Sequence, residues 1–234
     1  MTALEHELDR SRSRDRFYSF AAGVILPPMG LWFRWHIVGL ENIPAQGPGL
    51  LAFNHVAYLD PLAVIYACSK VKRRPRFLTK SELFRDRKIG WLMRGTGQIE
   101  VKRGTRDAVH ALGEALAALE RGELVAIFPE GTVTTDPDLG AMTPKSGVSR
   151  LALAADVPIT PCAIWGSSNV WPKGFKGSWR PGQPLLIKIG KPFNVTGSPD
   201  SPAAWVEAGR KIMEEIGGLV AELRPLVPDR RRPK

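Results

Sequence analysis

Cysteine and histidine are scarce in this 234-residue chain, which holds two cysteines and four histidines. Cys68 and Cys162 lie far apart, and neither belongs to a CxxC motif or a metal-finger spacing. The histidines share no metal-ligand spacing, so we expect no metal site. A reduced, cytosolic setting is therefore expected, with both cysteines acting as small apolar residues.

The chain also lacks a clear membrane-spanning run near its start. Phe17 to Phe33 is uncharged but holds only seventeen residues and contains Pro27-Pro28, whereas a spanning helix needs about 20 apolar residues. We predict two short helices hinged at the prolines, with their apolar faces in one leaflet and Trp32 and Trp35 at headgroup depth. The open alternative is a helix packed on the protein's own core.

Acidic residues are few in one region, and this explains the net charge of +10. Between Lys70 and Arg106 there are thirteen basic and three acidic residues, so this stretch carries the whole excess. Such a field attracts nucleic acid, anionic lipid headgroups or a phosphorylated substrate. No helix-turn-helix, zinc knuckle or RNP-type strand accompanies it, so we expect an anionic membrane surface as partner and no nucleic acid.

Short apolar runs alternate with helical patterns along the rest of the chain. Strands are predicted at 49–53, 76–79, 97–101, 124–128, 158–165 and 185–189, and helices at 60–69, 105–120, 145–155 and 202–223. This alternation predicts an α/β fold with a largely parallel or mixed sheet flanked by helices. We divide the chain into an arm with a membrane-associating helical segment (1–35), an α/β domain (36–223) and a basic disordered tail (224–234).

Polar side chains follow three of the predicted strands, at the ends where α/β sheets bind ligands. After the first strand comes Asn54 to Asp60, in which His55 could take a proton from a hydroxyl and Asp60 could orient its ring. Their plainer interpretations are a hydrogen-bonded loop histidine and a helix N-cap. These residues alone leave both interpretations open.

Two further strand exits carry charge. Lys102 and Arg103 follow the strand at 97–101, and an arginine there can bind phosphate oxygens or remain a solvated surface charge. Glu130, Gly131 and Thr132 follow the strand at 124–128, where the glycine permits a positive φ and the threonine offers a hydroxyl.

Together these segments resemble the lysophosphatidic acid acyltransferase (1-acylglycerol-3-phosphate acyltransferase) family, which includes glycerol-3-phosphate acyltransferases. Four blocks appear in order across residues 49–163: NHxxxxD at 54–60, GQIEVKR at 97–103, FPEGT at 128–132 and VPITP at 157–161. A lysine-glycine segment, TPKSGV at 143–148, is also similar to the family pattern.

The resemblance implies a role for each matched residue. His55 would be the general base and Asp60 its orienting partner. Arg103 would bind the acceptor phosphate with help from Lys80 and Lys102. The residues Glu130, Gly131 and Thr132 would shape the acceptor pocket.

The implied reaction moves a fatty acyl chain from acyl-CoA or acyl carrier protein to the hydroxyl of lysophosphatidic acid, in phospholipid biosynthesis at the cytoplasmic face of the membrane. It needs no cofactor. Glycerol 3-phosphate, a lysophospholipid or a glycolipid are alternative acceptors, and a non-catalytic lipid- or nucleic-acid-binding protein is the alternative outside the class.

Two departures from the family pattern affect the acceptor more than the reaction. Members usually continue FPEGT with arginine and serine, whereas Val133 and Thr134 follow here. Glu100 stands where the second block usually has an apolar residue. We also predict that the loop 171–180, which alternates aromatic and basic residues, is a second membrane contact or an ordinary surface loop.

Overall fold

A seven-stranded sheet lies between helices and forms the centre of the α/β fold. The computed structural model describes residues 3–101, 105–136, 138–139 and 143–233, and for 3–14, 105–109 and 232–233 it describes the backbone alone. The strands are β1 (Phe33–Val38), β2 (Gly49–Phe53), β3 (Pro75–Lys80), β4 (Ile99–Val101), β5 (Leu124–Ile127), β6 (Ile159–Trp165), β7 (Phe175–Lys176), β8 (Gln183–Ile189) and β9 (Arg232–Pro233). The α-helices are α1 (Ala3–Trp32), α2 (Asp60–Lys70), α3 (Ser81–Arg85), α4 (Gly90–Gly95), α5 (Thr105–Glu120), α6 (Ser146–Ala154) and α7 (Pro202–Leu223).

The large sheet has the strand order β1-β8-β6-β2-β5-β3-β4. Parallel pairs join β6, β2, β5, β3 and β4, and β8 pairs antiparallel with β6 and parallel with β1. The prediction of a largely parallel or mixed sheet is therefore confirmed. Five strands have their carboxyl ends on one side of the sheet, and β1 and β8 begin on that same side. We name the row of loops at these strand ends the reaction edge, and the row at the other strand ends the opposite edge.

The core has two layers because successive residues of a strand face opposite sides of the sheet. In β2, Leu51 and Phe53 pack with Ala63 and Val64 of α2. Leu50 and Ala52 point to the other side and pack against α5, α6 and α7. Both faces of β2 are therefore buried, which explains its uninterrupted apolar run, and the residues that follow it are held at a fixed position.

The first helix corrects the prediction of two short helices. α1 is continuous over 30 residues and contains Pro27 and Pro28. A proline has a φ close to the helical value, and its cost lies in the missing N–H and in crowding on the preceding turn. Packing holds the turn that follows, because Met29 is buried and its carbonyl accepts a hydrogen bond from Trp35 Nε1 at 3.0 Å.

The segment after α1 belongs to the sheet. β1 begins at Phe33, so the domain starts three residues before the predicted boundary. Trp35 was predicted to lie at headgroup depth, but it is half-buried and stacks on Tyr66 of α2 with ring centroids 4.0 Å apart, whereas Trp32 remains exposed. Among the described residues, no helix combines the length and the apolar character needed to cross a bilayer.

The chain after α7 also differs from its prediction, since the expected disordered tail packs on the domain. Trp165 Nε1 donates to the carbonyl of Val227 at 2.8 Å, and Asn169 Nδ2 donates to that of Pro228 at 3.0 Å. Strand β9 pairs with β7. The physical reason is that Trp165 and Asn169 are buried and need acceptors, which the tail backbone supplies.

Candidate active site

The candidate site lies at the reaction edge, where the chain leaves β2. Asn54 is the first residue after the strand, and its side chain pairs with the backbone of β6 as a strand backbone would. Its Nδ2 donates to the Ile164 carbonyl at 2.9 Å, and its Oδ1 accepts from the Ile164 N–H at 2.7 Å. This pair of bonds fixes the loop to β6. Sequence reasoning included Asn54 in the motif without giving it a role.

His55 and Asp60 are in direct contact. His55 Nδ1 lies 2.9 Å from Asp60 Oδ2, and the Asp60 side chain is wholly buried. The same Oδ2 accepts hydrogen bonds from the backbone N–H groups of Val56 at 2.7 Å and Ala57 at 2.8 Å. Asp60 is therefore not the N-cap of α2. Its carboxylate folds the preceding loop back on itself and thereby brings the histidine ring to it.

Ser167 is a partner that sequence reasoning missed. Its hydroxyl donates to Asp60 Oδ1 at 2.5 Å. Ser167 opens a short 3-10 turn after β6, preceded by Gly166 at φ 87°. A Cβ at Gly166 would lie 2.4 Å from the Pro184 carbonyl oxygen, so only glycine fits. Ser167 could have been found from the sequence, because it follows a predicted strand and the carboxyl ends of strands are where α/β sheets bind ligands.

The other side of the His55 ring packs on an aromatic residue. His55 stacks on Phe128 with centroids 4.1 Å apart and planes at 20°, and its side chain is 13% exposed. Since Asp60 occupies Nδ1, a reacting group would meet the imidazole through Nε2, for which the described residues provide no hydrogen-bond partner. A ring held on one nitrogen and open on the other is arranged to accept a proton.

The FPEGT loop is bonded to the histidine backbone. Glu130 Oε1 accepts from the His55 N–H at 3.0 Å, and the His55 carbonyl accepts from the Thr134 N–H at 2.9 Å. Glu130 is buried, and its bond to the His55 N–H explains why a glutamate follows this apolar strand. Gly131 adopts φ 66°, a conformation that favours glycine. The two loops therefore form one unit around His55.

Two lysines flank this turn. Lys173 Nζ donates to Thr132 Oγ1 at 3.3 Å, from the loop that was expected to be either a second membrane contact or an ordinary surface loop. The side chain of Lys145 lies against Gly131, where an added Cβ would come within 3.3 Å of its Cγ. Val133, which stands where the family usually has arginine, is buried. A cation is thus present beside Thr132, although it comes from a different element.

The expected phosphate-binding cations are only partly described. Lys80 ends β3 at the reaction edge and is half-buried, with Val101 of β4 as its register partner. Lys102 and Arg103 lie outside the described residues. Among the residues that are described, no group of three or more His, Cys, Asp or Glu could hold a metal ion.

Both cysteines are buried free thiols, as expected from their scarcity. Burial raises the pKa of the Cys68 thiol to about 12 and that of Cys162 well above its ordinary value. Because the thiolate is the nucleophilic form, neither cysteine is a candidate nucleophile.

Comparison with known proteins gives a consistent result. The acyltransferase family model matches residues 34–165, more than half of the chain. A chloroplastic 1-acyl-sn-glycerol-3-phosphate acyltransferase of Brassica napus is 30% identical over 78% of this chain and 52% of its own length. A 1-acyl-sn-glycerol-3-phosphate acyltransferase of Bacillus subtilis is 24% identical over 88% of this chain and all of its own length. The chain spans about half the length of the plant relatives it matches.

A solved structure is similar over most of the fold. The crystal structure of the 1-acyl-sn-glycerophosphate acyltransferase of Thermotoga maritima superposes with a TM-score of 0.64 at 25% identity. The match covers 92% of this chain and 83% of that one. Because the family model includes both the NHxxxxD and the FPEGT loops that meet at His55, the chain belongs to the acyltransferase family.

Proposed function

We propose that this protein transfers a fatty acyl group from an acyl thioester to the free hydroxyl of lysophosphatidic acid, which forms phosphatidic acid for phospholipid synthesis. The observation that carries the proposal is the 2.9 Å contact between His55 Nδ1 and the buried Asp60 carboxylate. The relatives named as 1-acyl-sn-glycerol-3-phosphate acyltransferases support the choice of substrate.

The proposed reaction follows from the orientation of the imidazole. His55 Nε2 accepts the hydroxyl proton while the acceptor oxygen attacks the thioester carbonyl, and Asp60 stabilises the imidazolium that forms. The tetrahedral intermediate collapses with cleavage of the C–S bond, and the imidazolium gives its proton to the departing thiolate, which leaves as the free thiol. The ester and the free thiol account for all atoms, and no metal or cofactor takes part.

Binding of the acceptor phosphate is proposed for the cations around this loop. Arg103, Lys102 and Lys80 keep the roles that the family resemblance implies. Lys173 supplies the charge beside Thr132 that arginine at position 133 provides in the usual pattern. Glu130 shapes the pocket by binding the His55 N–H. Gly131 does so because, without a Cβ, it lets the Lys145 side chain lie close to the turn.

A thiol-release assay with acyl-CoA tests the reaction. Wild type and His55→Ala are compared with lysophosphatidic acid, glycerol 3-phosphate, lysophosphatidylglycerol and a glycolipid as acceptors, and acyl carrier protein replaces CoA in a second series. We expect release to depend on lysophosphatidic acid and to fall on the order of 10³-fold in His55→Ala. His110→Ala, on the exposed face of α5, is the matched control.

The same assay addresses the acceptor. Lys173→Gln should raise KM for lysophosphatidic acid with little change in kcat, because a phosphate contact distant from the reacting hydroxyl contributes uniform binding. Preference for an acceptor without a phosphate monoester, together with an unchanged KM, would transfer the proposal to one of the alternative acceptors. Wild-type release that is absent with every acceptor and both donors would contradict the enzymatic proposal.

We further propose that the protein works on the anionic cytoplasmic surface of the membrane. Its support is an exposed apolar series on α1, with Leu31 91% exposed, and three aromatic rings beside the reaction edge. The ring of Tyr58 lies 5.6 Å from that of Trp171, which lies 5.7 Å from that of Trp179. Exposed aromatic rings of this kind are favoured at headgroup depth.

A further inference from the structure

A cleft lined by cations lies on the outer face of β1 and β8, outside the candidate active site. It consists of two adjoining hollows of about 500 and 520 Å³ that share five lining residues. Its cations are Arg34, Lys176, Arg180 and Arg230, and no acidic residue lines either hollow. We name it the arginine cleft.

The charges of the arginine cleft are not neutralised from within. None of its four cations forms an ion pair with a described carboxylate. The neighbouring Asp229 binds Arg231 instead, at 2.7 Å, and hydrogen bonds from Arg231 lower the pKa of this carboxyl despite its partial burial. Four unpaired cations around one hollow repel each other, so an anionic ligand would stabilise them.

The walls of the arginine cleft are held by hydrogen bonds. Arg34 Nε donates to the Gly182 carbonyl at 2.9 Å, which fixes its guanidinium. The Asn169 side chain holds the tail, since its Oδ1 accepts from the Arg230 N–H at 2.6 Å. The Asn169 carbonyl holds the opposite loop by accepting from the Ser178 N–H at 2.8 Å. The Arg34 guanidinium and the backbone on both sides of the cleft are therefore held in place by hydrogen bonds.

The chemistry of the cations indicates a phosphate ligand, because guanidinium groups bind phosphate oxygens in pairs. The surroundings indicate where that phosphate comes from. Trp32 Nε1 donates to the Trp179 carbonyl at 2.9 Å, and the two indoles are 44% and 49% exposed. Trp32 stands two residues before Arg34, and Trp179 directly precedes Arg180. Exposed indoles next to cations are typical of the depth at which lipid headgroups lie.

The arginine cleft is separate from the reaction centre. In the 3-10 turn that follows β6, Ser167 binds Asp60, whereas Asn169 at the other end of the same turn lines the cleft. We propose that the cleft binds the phosphate of an anionic phospholipid that is not the substrate, and so holds the protein on the bilayer beside its reaction edge. This inference rests on the proposed membrane-surface function.

The test compares two pairs of substitutions that remove equal charge. Arg34→Gln with Arg230→Gln changes the arginine cleft, and Arg121→Gln with Lys191→Gln changes the opposite edge. Binding is measured by flotation with vesicles of phosphatidylcholine and phosphatidylglycerol. We expect about 25-fold weaker binding for the cleft pair, at about fivefold for each cation near an anionic surface. The control pair should stay within about twofold, since its charges are screened from the bilayer.

Two further measurements separate the outcomes. Coenzyme A binding should be unchanged in the cleft pair, and so should acyl transfer to a water-soluble short-chain lysophosphatidate. Loss of coenzyme A binding with vesicle binding retained, or equal vesicle loss in both pairs, would overturn the proposal. Arg180→Gln, whose side chain makes no hydrogen bond to a described residue, serves if the pair unfolds, and it should weaken vesicle binding about fivefold. If the wild-type protein shows no acyl transfer, the proposed reaction is refuted. Vesicle flotation would still test whether the arginine cleft binds anionic phospholipid.

Discussion

Each edge of the sheet is held by one charged side chain that gathers the loops around it. At the reaction edge, the Asp60 carboxylate accepts hydrogen bonds from two backbone N–H groups and a serine hydroxyl and contacts His55. At the opposite edge, the Arg73 guanidinium donates to the carbonyls of Pro44 at 2.8 Å, Gly47 at 2.6 Å and Gly122 at 3.3 Å. Both ends of α2 are thus fixed by a charge.

The two charges differ in what they touch. Among the described residues, the Arg73 guanidinium donates to backbone carbonyls alone, and the titratable group that acts on its pKa is the buried Cys68 thiol. Asp60 contacts an imidazole whose second nitrogen has no described partner. Arg73 binds backbone groups alone, so we assign it a structural role. Asp60 binds backbone groups in the same way but also contacts the titratable ring of His55, which makes it a candidate for a catalytic role. Three substitutions test this distinction.

Asp60→Asn should have the largest effect. The amide keeps the size of the side chain but places an NH₂ group among the hydrogen-bond donors that surround Asp60. His55 also loses the carboxylate that orients and stabilises it. We expect kcat to fall on the order of 10³-fold, with about 2 kcal/mol of stability lost to unsatisfied donors. Steady-state kinetics at a temperature well below the measured midpoint of unfolding check this. Activity within about tenfold of wild type would remove Asp60 from the mechanism.

Arg73→Ala should show the reverse pattern. It removes three hydrogen bonds to carbonyls at a half-buried position, so we expect a loss of about 2 kcal/mol in the free energy of unfolding. Urea unfolding measures that loss, with the exposed Arg87→Ala as the control. Activity per folded molecule should remain near wild type, and a large fall in kcat for folded protein would show that the two edges are not functionally distinct.

Ser167→Ala should have the smallest effect and refine the comparison. It leaves Asp60 Oδ1 without its hydroxyl donor, which costs about 1–2 kcal/mol of stability. We expect kcat to fall by up to about tenfold through a less well fixed carboxylate. Ser168→Ala is the matched control, because Ser168 is equally buried and makes no recorded bond to Asp60. Equal effects of the two variants would assign Ser167 to packing alone.

Local patterns predicted the central elements of the fold well. The bounds of β2, α5 and α7 agree with prediction, since a buried apolar run and a 3.6-residue period leave little freedom. The strand β1 was missed because FRWHIV continues an uncharged segment that reads as membrane-associating. Its place in the sheet depends on pairing with β8, about 150 residues later, which no local pattern shows.

The site divides in the same way. NHxxxxD indicated His55 and Asp60, and the structure brings them together. Ser167 and Lys173 were missed because their partners lie 107 and 41 residues away and neither residue stands in a recognisable motif. The spacing also could not show that Asp60 binds the N–H groups before it and not those after it, because this depends on how the loop folds back.

The polarity of one edge strand has a consequence for the whole molecule. Because β1 runs against β2, α1 enters the sheet at the same edge as His55. A β1 of the other polarity would bring α1 in at the far end of the strands, about 17 Å away for five residues. The direction of six residues thus aligns the long helix, the exposed indoles and the imidazole on a single side. On the membrane surface that we propose, this alignment would let an acyl chain reach the reacting atoms without first leaving the bilayer.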